Sequence, residues 1–341
     1  MFKNFGKIGT FAAVAALSLT VLSACGNNNK EGAASPSASS SPSASAAASP
    51  SASPASSAAA APAEVTITHA LGTATVKTNP EKVVVFDFGA LDSLDKLGVE
   101  VTALPKASVP EYLSKYKDDK YQDAGTLFEP DFEKLAALKP DVIFIGGRTA
   151  EAYEELSKIA PTIQVSLDYA KYADSFKANE EWYAQIFAKQ SALDASLSEI
   201  AAAQADLKAK AANAGKALVV LTTGGKISAY GPGSRFGVIH ESFGFLPADD
   251  KIEVSTHGQS VTSEYIAETN PDILFVVDRD LVAGGEGGKS AKEVIENDLV
   301  KKTNAYKNGK IVYLDPQYWY LANGGLTAEL EMTKEAAQAV Q

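Results

Sequence analysis

Two stretches of this chain are one pattern written twice. Pro140-Asp141-Val142-Ile143-Phe144-Ile145-Gly146-Gly147-Arg148 aligns with Pro271-Asp272-Ile273-Leu274-Phe275-Val276-Val277-Asp278-Arg279. In each, Pro-Asp opens a short apolar run suited to a buried parallel strand, and an arginine falls eight residues after the proline. The likeness extends upstream. Glu133 lies seven residues before Pro140 and Glu264 seven before Pro271, each near the start of a short predicted helix. Copies about 130 residues apart point to two similar lobes and not to a solenoid, whose units recur roughly every 20–50 residues.

The body from Glu64 to Gln341 is long enough for two lobes with separate cores. It opens strand-rich, with Val65–Ala70 and Thr73–Val76, and Val83–Phe86 reads as the next buried strand. Helices are predicted over 89–98 and 131–138, ahead of a strand at 142–145. The second half restarts with a strand at 217–221. It continues through helices at 237–243 and 263–268 and strands at 273–277 and 310–314. This alternation predicts an α/β fold of two lobes with mainly parallel sheets. Between the halves, residues 179–213 contain no Pro or Gly and carry Trp182, Ile186, Leu193, Leu197 and Ile200 at helical spacing. Lys189 and Gln190 interrupt that stripe for one turn. The expectation is one bridging helix over 179–213, about 45 Å long, joining an N-terminal lobe (64–178) to a C-terminal lobe (214–341). A rigid bridge of this kind permits only limited opening.

Residues 1–24 read as an export signal: Lys3 and Lys7 precede a mostly apolar run from Ile8 to Leu22. The run is too short to span a bilayer comfortably. It ends in Leu22-Ser23-Ala24-Cys25, similar to the lipobox of bacterial lipoproteins, in which the cysteine is lipidated. The alternative is a plain secretory peptide with a chance cysteine. Cys25 is the only cysteine, so no disulfide can form within one chain. Residues 25–63, mainly Ser, Ala and Pro, cannot bury enough surface to offset their ordering entropy and read as a flexible tether. Without Lys3 and Lys7 the 31 basic residues become 29, against 42 acidic ones. A balance of -13 argues against nucleic acid as a partner.

Only three of the basic residues are arginines: Arg148, Arg235 and Arg279. A chain that relies on lysine for solubility keeps its planar, bidentate cations for special positions, and two of these sit at equivalent strand ends. Each is either an anion holder or a surface ion pair. Arg235 follows Gly231-Pro232-Gly233-Ser234, a tight loop before a helix where backbone can approach a ligand. Thr256-His257-Gly258-Gln259 is a second polar loop. Tyr318-Trp319-Tyr320 follows the last strand and serves either the core or the ligand side of an open sheet. Catalytic signatures fail individually. The segment Gly284–Ser290 has Ala283 where a phosphate loop needs glycine, and His240-Glu241 lacks the second zinc histidine. Ser234 lacks the flanking glycines of a nucleophile elbow, and three scattered histidines (His69, His240, His257) do not make a zinc cage.

The lipobox, the duplicated Pro-Asp strands, the bridging segment, Val83–Asp92 and Tyr230–Gly237 together resemble the substrate-binding lipoproteins of ferric-siderophore ABC importers. Within them, the chain is most similar to the group that binds catecholate siderophores, including petrobactin. The resemblance covers essentially all of 64–341. It implies a class III periplasmic-binding-protein-like fold, a monomer outside the cytoplasm anchored to the membrane through Cys25, and no catalysis. It implies a ferric catecholate ligand in the cleft, no permanent cofactor, and iron present only as a siderophore complex. Arg148, Arg235 and Arg279 match the cleft arginines of that group, and flat catechol rings would suit their guanidinium groups and Tyr318 or Trp319. His257 and Tyr318 match residues that ligate iron where a siderophore leaves sites open. Glu133 and Glu264 match the acidic residues that dock the permease; their other reading is ordinary helix N-terminal charge. Alternatives are a receptor for haem or a hydroxamate siderophore, or an extracytoplasmic hydrolase on the same scaffold.

Overall fold

In a computed structural model that describes residues 63–284 and 288–341, the chain begins with an antiparallel hairpin of β1 (Glu64–His69) and β2 (Gly72–Lys77). The export signal, Cys25 and the tether up to residue 62 lie outside the described residues, as do Gly285, Glu286 and Gly287. Next come β3 (Val83–Val85), β4 (Ala103–Leu104), β5 (Gln122–Asp123), β6 (Val142–Ile145) and β7 (Thr162–Gln164). They form an all-parallel sheet in the order β5-β4-β3-β6-β7. The second sheet uses β8 (Lys216–Thr223), β9 (Lys226–Tyr230), β10 (Leu246–Pro247), β11 (Gln259–Val261), β12 (Ile273–Asp278) and β13 (Ile311–Leu314). Its order is β11-β9-β8-β12-β13, with β10 beside β8.

The second sheet is less parallel than the sequence pattern predicts. β9 runs antiparallel to β8, and β11 antiparallel to β9. The cause is local: Gly224 and Gly225 both take positive φ, +55° and +75°. That is the backbone of a two-residue hairpin turn, which returns the chain at once with no room for a crossover helix.

The duplicated motif is a physical device. The helices Phe132–Leu138 and Ser263–Thr269 each end on a left-handed residue, Lys139 (φ 52°) and Asn270 (φ 46°). The Pro-Asp aspartate then anchors the neighbouring strand. Asp141 accepts from the backbone N–H of Glu81 and Lys82 at 3.0 and 2.8 Å, fixing the approach to β3. Asp272 accepts from Lys216 N–H at 2.9 Å at the start of β8. β6 and β12 therefore occupy equivalent places, beside β3 and β8.

The expected single bridging helix over 179–213 is replaced by two helices, Tyr172–Phe187 and Gln190–Ala211. The break is at Ala188, a left-handed residue with φ 52°, beside the Lys189-Gln190 turn where the apolar stripe lapses. With no apolar side chain to seat there, the chain turns. The carbonyl of Ile186 is taken instead by Asn79 N–H at 2.8 Å.

The C-terminal helix Leu326–Ala337 returns to lie against both Gln190–Ala211 and the first-lobe helix Phe88–Lys96. The latter caps it from across the molecule. Asp92 accepts from the N–H groups of Thr327 and Ala328 at 3.2 and 2.6 Å, and Ser93 Oγ accepts from Leu326 N–H at 3.1 Å. Ser93 Oγ also donates to Glu180 at 2.6 Å. Farther along, Glu329 accepts from Tyr172 Oη at 2.6 Å and Gln204 Nε2 at 2.7 Å. Burial raises these carboxyls: Asp92 to about 6, Glu329 to about 7, and Glu180 well above its ordinary range.

A carboxyl raised on folding binds more protons in the folded state, so its contribution to stability falls as pH rises from its unfolded toward its folded value. For Glu329 that window runs from about 4.5 to about 7. Glu329→Gln keeps a neutral amide in place and should gain stability relative to the parent chain as pH rises from 5 to 8, on the order of 2–3 kcal/mol. Denaturant melts at several pH values measure this; a stability difference that stays constant across the range contradicts the assignment.

Candidate functional site

The ends of β6 and β12, the loop after β9 and the turn after β13 meet around one cavity of ≈ 730 Å³ between the two sheets. This is the size range of small-molecule sites. Its wall includes Asp87, Arg148 and Tyr183 from the first half, and Arg235, Arg279 and Tyr320 from the second.

The three arginines arrive by different routes. Arg148 sits on a 3-10 turn (Gly147–Ala152) entered through Gly146. Gly146 is required by space: a Cβ there would collide with the carboxylate of Asp87. Asp87 caps the Phe88–Lys96 helix, accepting from Ala90 N–H at 3.0 Å. Arg279 directly follows β12, and its N–H bonds Thr222 O at 3.1 Å. Arg235 projects from a loop locked by Ser234 Oγ donating to Gly231 O and by Gly233 N–H donating to Glu241, both at 2.5 Å.

All three converge on Tyr320. Arg148 Nη2 and Arg235 Nη2 donate to its carbonyl oxygen at 3.0 and 2.7 Å. Arg279 Nε donates to its hydroxyl at 2.9 Å, and Nη1 to Thr223 Oγ1 at 3.0 Å. The guanidinium carbons lie 5.2, 4.3 and 5.6 Å from the Tyr320 ring centre for Arg148, Arg235 and Arg279, within cation–π range. Every ion pair among the described residues uses a lysine, so the arginine partners are neutral groups. Asp87, partly buried on the cavity wall, is pushed up by desolvation despite the pull of Arg148 and Arg235. Burial likewise pushes the Tyr320 phenol up, but the Arg279 hydrogen bond and the three guanidinium charges outweigh it, leaving the phenol below its ordinary value. Each guanidinium uses one or two of its five N–H donors on protein acceptors, and the Nε–H of Arg235 is buried with no acceptor. The site is positive, rich in donors and open to an anion.

The other sequence-predicted residues divide. His257 lines the same cavity and is exposed on its loop. Tyr318 and Trp319 do not line it. Trp319 is fully buried, edge-on to Phe243 at 6.1 Å, with its indole N–H on Glu335 at 2.9 Å. Tyr318 packs against Tyr112, the rings tilted by 45° with centres 4.7 Å apart. The segment Gln317–Leu321 winds as a wide helical turn, closed by Ala322 N–H on Gln317 O. On such a turn residues two apart point to roughly opposite sides, so Tyr320 faces the cavity and Tyr318 faces away. Tyr320 was missed; reading the segment after β13 as a helical turn finds it. Glu133 and Glu264 are exposed and not part of the cavity wall, each the second residue of its short helix. His240 is structural, its Nδ1 3.0 Å from Phe245 O.

Residues 83–318 match the family described as periplasmic binding protein. The petrobactin-binding protein YclQ of Bacillus subtilis is 51% identical over 284 residues, covering 82% of this chain and 89% of that protein. Its crystal structure superposes with a TM-score of 0.79 over 82% of this chain and 99% of that one. The catecholate-siderophore binding protein VctP of Vibrio cholerae is 40% identical, with a TM-score of 0.75 over 81% of this chain and 99% of that one. The iron uptake ABC transporter substrate-binding protein PiuA of Streptococcus pneumoniae is 37% identical, with a TM-score of 0.77 over 82% and 100% of the respective chains.

The arginine cluster eases ionisation of the Tyr320 phenol. Monitored by phenolate absorbance, the chain should show an early titration step below the ordinary tyrosine range, and Tyr320→Phe should remove it. An unchanged curve in the variant contradicts the geometry.

Proposed function

The chain belongs to the periplasmic binding protein family, and on that footing we propose that it is a lipid-anchored extracytoplasmic receptor for a ferric catecholate siderophore, which it delivers to an ABC importer. It is a binding protein, not an enzyme. One observation carries the choice of ligand: Arg148, Arg235 and Arg279 converge on one cavity, and among the described residues none of them is ion-paired with a carboxylate. A ferric tris-catecholate carries three negative charges and flat rings. Its charge answers the arginines, and its rings suit guanidinium faces and the Tyr320 ring. Each charge-assisted hydrogen bond in such a cleft contributes roughly 1.5–3 kcal/mol. The names of YclQ and VctP point the same way.

In this reading iron enters only as the siderophore complex and no cofactor is permanent. Where the siderophore leaves coordination sites open, His257 and Tyr320 supply them, Tyr320 replacing Tyr318 because it faces the cavity. The exposed, equivalently placed Glu133 and Glu264 dock the permease, one from each lobe. The anchor is a lipid on Cys25, and the receptor acts as a monomer.

Titration of the purified protein with ferric catecholates, followed by Trp and Tyr fluorescence, should show saturable quenching at micromolar levels or below; no quenching by any of them overturns the proposal. Arg235→Ala should weaken that binding by about 10-fold or more, the loss of one charge-assisted contact. Glu133→Ala combined with Glu264→Ala should leave ligand affinity intact and impair siderophore-dependent iron uptake by cells. Normal uptake in the double variant removes the docking role.

A further inference from the structure

Phe128 is 67% exposed, although Leu127 beside it is 5% exposed and seated in the core. A single exposed apolar residue is ordinary on a protein surface. This one lines the arginine cavity, and its turn is fixed on every side. Gly125 and Pro130 bridge the base of the turn, and Thr126 N–H donates to Glu129 O at 2.9 Å. Thr126 Oγ1 accepts from the N–H groups of Phe128 and Glu129 at 3.2 and 2.9 Å. Leu127 O accepts at 2.7 Å from Thr149, a buried residue on the same 3-10 turn as Arg148. The benzyl ring is therefore displayed at the cavity by rigid backbone coupled to one of the cationic arms. Nearby on the wall, the first lobe adds Val165, Leu167 and Tyr169. This lobe contributes one arginine and an apolar, aromatic face; the other contributes two arginines together with Tyr230 and Tyr320.

We propose that Phe128 is the aromatic ligand contact of the first lobe, and that it favours ferric chelates bearing flat rings. The proposal rests on the ferric catecholate reading. Because the backbone of the turn is already ordered, no loop has to be ordered when a ligand ring stacks on Phe128 or meets it edge-on. The arginines recognise charge, which any anionic ferric chelate supplies; Phe128 adds recognition of the ring.

The experiment titrates the parent protein, Phe128→Ala, Phe128→Leu and Phe128→Tyr with the ferric complex of a dihydroxybenzoyl amide, read by fluorescence quenching. Because Phe128 is exposed, all four should share one thermal midpoint. Phe128→Tyr should bind within about 3-fold of the parent, and Phe128→Ala about 10-fold more weakly. Phe128→Leu should fall clearly below Phe128→Tyr, since it keeps apolar bulk and loses the ring. Parent-like affinity in Phe128→Ala overturns the contact, and equal affinity in Phe128→Leu and Phe128→Tyr overturns ring selection. A parent protein that binds no ferric catecholate overturns the underlying reading first, and this one with it.

Discussion

Three guanidinium groups gathered on one tyrosine, without a carboxylate partner among them, set the terms for the rest of the molecule. Two cations about 5 Å apart repel by about 3 kcal/mol at an effective dielectric near 20. Neutral acceptors offset part of this: one carbonyl shared by two arginines, a threonine hydroxyl and a phenol. Cation–π contact with the same ring offsets more. Such an arrangement persists only where the backbone imposes it. The tight loop before Arg235, the Gly146 passage over Asp87 and the turn after β13 each hold one part in place. Preorganised positive charge in a partly dehydrated cleft is what an anionic chelate requires, because the cost of assembling it is met at folding.

That imposition depends on how the halves are joined. The chain crosses between the sheets through two helices meeting at Ala188, and its last helix comes back to be capped by Asp92 and Ser93 of the first half. A helix whose first N–H groups are bonded to the opposite half resists rotation more than a loop does. The buried acids at this joint are held by hydrogen bonds and not by counter-charges, so they add little net stability but specify one arrangement.

Much of the fold was legible because the strands that matter are buried on both faces and read as apolar runs. Val142–Ile145 and Ile273–Val277 were placed almost to the residue, and the Pro-Asp repeat located two equivalent lobes. Scarcity and placement singled out Arg148, Arg235 and Arg279, but their meeting in one cleft was what the family resemblance implied. What failed lay where a small backbone choice redirects side chains. Lys189 and Gln190 looked like a blemish in one helix and proved to flank a break. Three consecutive aromatics looked equivalent, yet the winding of one turn sent Trp319 to the core, Tyr318 toward Tyr112 and Tyr320 to the arginines. Periodicity identifies an element, but it does not fix its rotation about its own axis.

The duplication is also broken in a way that matters for closure. Arg148 and Arg279 are counterparts, but Arg235 belongs to the second half, and so does Tyr320, whose carbonyl accepts from Arg148 and Arg235 and whose hydroxyl accepts from Arg279. The Arg148 contact is therefore the one of the three that joins the halves. An anion bound among the three guanidinium groups offsets their mutual repulsion, so it favours the arrangement that holds Arg148 against the second half.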